Sequence, residues 1–252
     1  MSTESIIRFE DVYRSFGSHH ILKGLTFAVE KGCTLAIMGP SGTGKSVTLR
    51  HIVGLLQPDS GLVEVEGHDM SHIPPAEIAE MRKRMGFVFQ GGALINWMTV
   101  EDNLALPMRE NTQLSGTEIM RRVSEKLDWV HIADAAHKFP SELSGGMKKR
   151  VGLARALIND PDIILYDEPN AGLDPEIATA INRVICELTK NLGVTSIVVE
   201  HRIPCVKAVA DEVIFLDEGR ALLRETPARF FSSEHPRLVR FLGDQRDTPT
   251  TP

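Results

Sequence analysis

Three cysteines, two tryptophans and two tyrosines in 252 residues leave this chain poor in side chains that cross-link or anchor. Cys33, Cys186 and Cys205 stand far apart, in no metal-ligand spacing. So sparse and odd a count excludes a disulfide framework, suits a reducing compartment and leaves all three as packing residues. No apolar run approaches the roughly 18 residues that a membrane-crossing helix needs. The start, Met1-Ser2-Thr3-Glu4-Ser5, lacks the basic and apolar regions of a secretory signal. The expectation is a cytoplasmic chain that works at a membrane only through a partner. Positive charge is not in excess either. The formal net charge is -6, so the whole molecule makes no electrostatic case for nucleic acid. The short cluster Lys148-Lys149-Arg150 reads as a solvated helix face. Internal repeats and sustained heptads are also missing. What remains, 42% hydrophobic and 25% charged residues, suits one large globular domain or a core with a subdomain.

Against these absences stands one dense motif. Gly39-Pro40-Ser41-Gly42-Thr43-Gly44-Lys45-Ser46 fits the phosphate-binding P-loop pattern. It follows the apolar run Thr34 to Met38 and precedes the helical pattern Val47 to Val53, as the motif requires. The glycines let backbone N–H groups turn inward on phosphate oxygens, and the helix N-terminus adds partial positive charge. Lys45 is expected to reach the β- and γ-phosphates and the Ser46 hydroxyl to ligate Mg²⁺.

Strand-like runs cover Ile6 to Val12, Leu25 to Val29 and Thr34 to Met38, then Gly61 to Gly67 and Gly86 to Gln90. From Thr99 to about Leu157 the pattern is helical, with breaks expected at Pro107, Ser115-Gly116 and Pro140. Two short apolar, β-rich runs, Ile163 to Tyr166 and Thr195 to Val199, read as buried parallel strands. Asp174-Pro175 starts the crossover helix between them, Pro175 to Leu192. The polar tail from Gly243 to Pro252 reads as disordered.

Ile163 to Tyr166 delivers two adjacent carboxylates, Asp167 and Glu168. Mg²⁺ is a hard cation that takes oxygen ligands, so Asp167 at the strand end can hold it directly or through water. Glu168 is then placed to polarise an attacking water as general base. Upstream, Leu143-Ser144-Gly145-Gly146-Met147 opens a helix with Ser144 as N-cap, a second N-terminus suited to phosphate. One chain has no use for two such sites unless two chains share nucleotides.

Over about Ile6 to Leu223 the chain resembles the nucleotide-binding subunit of ATP-binding cassette (ABC) transporters. The resemblance implies an α/β P-loop NTPase core with an antiparallel β subdomain and an inserted α-helical subdomain. It places a single ABC ATPase domain over 1–242, with the core at about 1–90 and 152–231. The helical subdomain falls at about 91–151 and a C-terminal helical segment at 232–242. Gly39 to Ser46, with Val47, matches the P-loop, and Leu143 to Met147, with Ser144, Gly145 and Gly146, the signature. Asp167 and Glu168 match the second nucleotide motif. The resemblance further implies that Gln90 senses Mg²⁺ and the membrane partner, that Asp174 is the D-loop aspartate and that His201 is the switch histidine. It makes Phe16 the ring that stacks on adenine, although a phenylalanine near a strand end is otherwise more often core. ATP and Mg²⁺ are the implied cofactors. Two copies are expected head to tail, each ATP between the P-loop of one and Ser144 to Gly146 of the other. Gly91 to Met98 is apolar for a connection, and core packing and partner contact are both open for Leu94, Ile95 and Trp97.

Three positions depart from the family: Met147 where Gln is usual, Arg202 where Asp is usual, and Glu200 where Thr or Ser is commoner. None removes a group needed for hydrolysis. The strings Gly44 to Val47, Phe89 to Leu94, Leu104 to Glu110, Leu143 to Arg150 and His235 to Gly243 resemble the ATPases of Mce-associated lipid transporters, including the maintenance-of-lipid-asymmetry systems. That likeness implies a multi-span permease, an Mce-type lipid-binding protein and phospholipid cargo, with this chain peripheral on the cytoplasmic face of the inner membrane. It also admits a small regulatory subunit. The rival is an importer ATPase for amino acids or another small solute, against which Met147 weighs. A soluble ABC ATPase of DNA repair, chromosome structure or translation is disfavoured by the missing coiled coils and by the acidity. A subunit without turnover is disfavoured because Lys45, Asp167, Glu168 and His201 are all present.

Overall fold

Alternating apolar and polar residues carry the chain into β1 (Ser5–Phe16) and β2 (His19–Glu30), and five consecutive buried residues form β3 (Thr34–Met38). Helix α1 (Lys45–Ile52), β4 (Ser60–Val65), β5 (His68–Asp69), α2 (Pro75–Lys83) and β6 (Met85–Val88) follow. Next come α3 (Val100–Asn111), α4 (Gly116–Trp129), α5 (Gly145–Ala156), β7 (Ile163–Asp167), α6 (Pro175–Leu192) and β8 (Thr195–Val199). The chain ends in α7 (Ile203–Val209), β9 (Glu212–Asp217), β10 (Arg220–Glu225), α8 (Pro227–Ser232) and α9 (Pro236–Leu242). The computed structural model describes residues 5–243, so the expected tail lies, except for Gly243, outside the described residues.

The chain divides into two units, Met1–Ile73 with Val199–Pro252, and Pro74–Val198. In the first, an antiparallel sheet runs in the order β2-β1-β4-β5. Ile7 pairs with Val65 and Phe9 with Val63, so alternation puts all four on one buried face. The Phe9 and Phe27 rings stack there at 4.6 Å. Beside it β3 and β9 run parallel, with Ile37 opposite Ile214, and β10 returns antiparallel along β9. Met38, Phe215, Phe230, Leu238 and Leu242 form one cluster, which ties α8 and α9 to these strands. Each such burial is worth about 1.5–3 kcal/mol.

In the second unit β8, β7 and β6 lie side by side, β6 and β7 parallel with Phe87 opposite Leu165. Ile119, Val123 and Leu127 of α4 are buried at i, i+4 and i+8, while Arg121 and Glu125 pair on its outer face. The expected break at Pro107 does not occur, because α3 runs through it to Asn111. Val100, Leu104, Ala105 and Met108 are all buried there, and their packing outweighs the backbone bond that proline forfeits. Ser115 caps α4 as its type predicts, accepting from the Glu118 N–H at 3.2 Å.

Candidate active site

The first unit carries Phe16, the P-loop and His201. Strand β3 delivers the chain to Gly39, where a Cβ would stand 2.0 Å from the Leu216 carbonyl oxygen of β9, so only glycine fits. Gly44, at φ 106°, turns the backbone into α1, and a Cβ there would lie 2.6 Å from Leu22. As a cap it has no side chain to cover the first-turn N–H groups, which suits an anion. Lys45 is buried, its ammonium donating to the Gly39 carbonyl at 2.7 Å and the Pro40 carbonyl at 2.8 Å. The Thr43 hydroxyl donates to the same Pro40 oxygen at 2.9 Å, which closes the loop on itself. Ser41 and Gly42 are exposed at its crest, and Ser46 and Val47 are half-buried in the first turn of α1. Phe16 ends β1 with its ring exposed and the Arg14 guanidinium 4.9 Å from the ring centre.

His201 follows β8 by two residues, half-buried. Glu200, one of the three departures, proves to be its support. The Glu200 N–H donates to the Ile37 carbonyl of β3 at 3.3 Å. Its buried carboxylate accepts the backbone N–H of His201 at 3.0 Å and of Arg202 at 3.2 Å through one oxygen. The carboxylate thus holds the two N–H groups of the turn that leads from β8 into α7, a stronger pairing than a hydroxyl provides.

The second unit carries Gln90, Ser144 to Gly146, Asp167, Glu168 and Asp174. Strand β7 is buried until Asp167, where both carboxylates emerge half-exposed. Glu168 adopts a left-handed backbone at φ 50°, a conformation that costs a non-glycine residue about 1–3 kcal/mol. The Gln90 amide Nε2 donates to Glu168 Oε2 at 3.1 Å, so Gln90, two residues past β6, and the proposed base are in direct contact. Ser144 caps α5 by accepting the Met147 N–H at 3.2 Å, with Gly145 exposed and Gly146 buried. Asp174 likewise caps α6, accepting the Ile177 N–H at 2.9 Å.

Three residues that sequence alone did not place in the site also shape it. Lys149, expected on a solvated face, is buried, and its ammonium donates to the Gln90 carbonyl and, at 3.4 Å, to that of Glu168. Arg155 donates to the carbonyls of Ala93 at 2.7 Å and Gly92 at 3.0 Å, so α5 lines the segment after Gln90. Asn103 of α3 is buried, accepts the Ile95 N–H at 2.7 Å and donates to the carbonyls of Ile95, Met98 and Thr99. Three successive helical residues span only about 200° of arc, so the sequence held no signal that Lys149 would turn inward. The apolar connection is divided: Ile95 and Leu94 are half-buried, whereas Trp97 is 82% exposed.

The family model described as ABC transporter matches residues 22–171. The intermembrane phospholipid transport system ATP-binding protein MlaF of Haemophilus influenzae is 39% identical over 98% of this chain and 93% of its own. The probable ribonucleotide transport ATP-binding protein mkl of Mycobacterium leprae is 37% identical over 96% of this chain and 70% of its own. Among solved structures, the dimeric post-hydrolysis state of the ATP-binding cassette MJ0796 bound to ADP and Pi superimposes with a TM-score of 0.80. Its identity is 31%, over 88% of this chain and 98% of that one. On the family model, the curated relatives and the solved cassettes alike, the chain belongs to the ABC transporter family, as one of its ATP-binding cassettes.

Proposed function

We propose that this cassette powers phospholipid transport through a multi-span permease, two copies closing head to tail on ATP and loosening after hydrolysis. ATP hydrolysis is its chemistry. The observation that carries the reading is the contact of Gln90 with Glu168, because it joins the proposed base to the connection that leads into the helical insertion.

In this reading the N–H groups of Gly39 to Val47 and the Lys45 ammonium hold the phosphates. Phe16 supports the adenine, and Ser144 to Gly146 with Asp174 face the nucleotide of the partner copy. Glu168 takes a proton from the attacking water, which Gln90 helps to orient, and His201 donates a hydrogen bond to the γ-phosphate. Ser46 of the first unit, and Gln90 and Asp167 of the second, each offer a side-chain oxygen, the donor type that Mg²⁺ takes. That ion supplies neutralisation of phosphate charge. Each of these assignments is supported by residue type and motif position.

Supporting a permease partner is a cavity of about 380 Å³ in the second unit, lined among others by Arg82, Lys83, Phe87, Phe89, Pro107 and Arg155. Its basic and aromatic lining, with the Phe87 and Phe89 rings stacked at 4.2 Å, suits a short cytoplasmic permease segment bearing carboxylate and apolar side chains. No helix among the described residues is long and apolar enough to cross a membrane. We place the chain peripherally on the cytoplasmic face of the inner membrane. Phospholipid rather than ribonucleotide cargo is favoured because the MlaF relatives match this chain over nearly their whole length. An Mce-type lipid-binding protein and a small regulatory subunit complete the proposed assembly, with no nucleic acid in it.

The test is affinity purification of the tagged chain from mild-detergent membranes. Copurification of a permease, an Mce-type protein and phospholipid is expected. Recovery with a soluble solute-binding protein makes it an importer ATPase, and recovery of only ribosomal or DNA-associated material removes the transport role.

A further inference from the structure

Helix α5 has two ends of business five residues apart. At its N-terminus the Ser144 cap and exposed Gly145 face outward, available to a partner's nucleotide. On its inner side, one turn on, Lys149 is 7% exposed and turns its ammonium to two main-chain carbonyls, those of Gln90 and Glu168. Those residues are themselves joined through their side chains at 3.1 Å. Arg155 fixes the carbonyls of Gly92 and Ala93 two turns further along the same helix. The segment after β6 is thus laid against α5 by two cations, and only Lys149 also reaches the base. Its position matters because Glu168 is in the left-handed region, φ 50°, where the backbone of a side-chain-bearing residue must be held by its surroundings.

We propose that Lys149 is a positioning residue for hydrolysis: its ammonium pins the backbone of Gln90 and Glu168 to the signature helix. Seating of α5 on the partner copy's ATP is thereby passed to the base at this chain's own ATP. An ammonium suits this task, since one compact charged nitrogen offers three donors and can serve two carbonyls from different segments at once. A neutral side chain of similar length leaves both carbonyls without a charged donor. Lys149 touches no nucleotide in this arrangement, so it acts on turnover and not on ATP affinity. The inference rests on Glu168 being the general base.

The experiment is steady-state ATP hydrolysis with ATP affinity measured separately by titration of a fluorescent ATP analogue, on Lys149→Met, Lys149→Arg and Gln90→Ala. Lys149→Met is expected to lower kcat about tenfold or more while affinity stays within about threefold, and Lys149→Arg, which keeps charge and donors, to restore most of the rate. Combined with Gln90→Ala, Lys149→Met should add little further loss, because both variants disturb one unit. If thermal melting shows that Lys149→Met does not fold, Lys149→Gln is judged by the same criteria. A folded variant with normal kcat overturns the proposal, as does a loss that multiplies fully with that of Gln90→Ala, or one that appears equally in ATP affinity. Glu168→Gln is run alongside. Undiminished turnover by that variant defeats the reading of the base itself, whereas a dead Glu168→Gln beside a normal Lys149→Met defeats only the role of Lys149.

Discussion

Glu168 and Lys45 are both carried on backbone that ordinary residues avoid or that glycine alone permits, and each gives a separable prediction. Replacing Glu168 by Gln keeps its size and its contact with Gln90 but removes the proton acceptor. Turnover should fall by about 10²–10⁴-fold, read as phosphate release, with ATP still bound. Lys45→Ala removes the ammonium seated on the P-loop carbonyls and should instead weaken nucleotide binding about tenfold or more, read by titration. Unchanged affinity would contradict the P-loop assignment. His51 gives a third prediction, about stability. It is buried in α1, its Nδ1 donates to the Val47 carbonyl at 2.8 Å, and burial holds its pKa below the ordinary 6.5. The unfolded chain therefore binds the proton more readily than the folded one, so stability is lost as pH falls below about 6.5. Thermal midpoints near pH 7.5 and about 5.5 should diverge more for the wild type than for His51→Gln; equal divergence would remove His51 as the cause. Of these residues, Lys45 and Glu168 were legible in sequence because motif spacing fixes them. Glu200 was legible only as an oddity, since its capping of the His201 turn depends on where β3 lies.

Among the elements, β3 and β8 were readable to the residue, being continuous apolar runs bounded by polar or glycine-containing segments. The crossover helix α6 starts and stops where Asp174-Pro175 and Gly193 put it. By contrast α3 overruns Pro107, because burial of Leu104, Ala105 and Met108 is a tertiary fact that local propensity does not contain. Strands β9 and β10 went unassigned, although Val213 to Leu216 is an apolar, β-rich run of the same kind as β3, with which β9 pairs. The connection before α3 was undecidable from composition, and Asn103 settles it. Four hydrogen bonds from one buried amide hold residues 95 to 99 in place while Trp97 points out. Asn103→Ala removes all four bonds, although the Ile95 and Thr99 carbonyls keep backbone partners, and should cost about 1–3 kcal/mol of stability, measured by denaturant unfolding. It should also speed protease cleavage within 91–99. Unaltered stability and cleavage would mean that the connection is ordered by something else.

At the scale of the whole molecule, composition excluded more than it revealed. Acidity, few cysteines and the lack of a membrane-length apolar run only bounded the reading, while the cassette itself follows from motifs in fixed order. Cargo is the least legible property, because an ATPase subunit does not touch what its permease carries. Related cassettes named for phospholipid and for ribonucleotide transport match this chain with nearly equal identity. The central claim is that hydrolysis occurs between two copies closed on ATP. Its most direct test is light scattering on the size-separated Glu168→Gln variant of this 27.9 kDa chain, with Mg²⁺ and either ATP or ADP. The account predicts a species of twice the chain mass with ATP and a monomer with ADP. A monomer under both conditions, with ATP demonstrably bound, would contradict it.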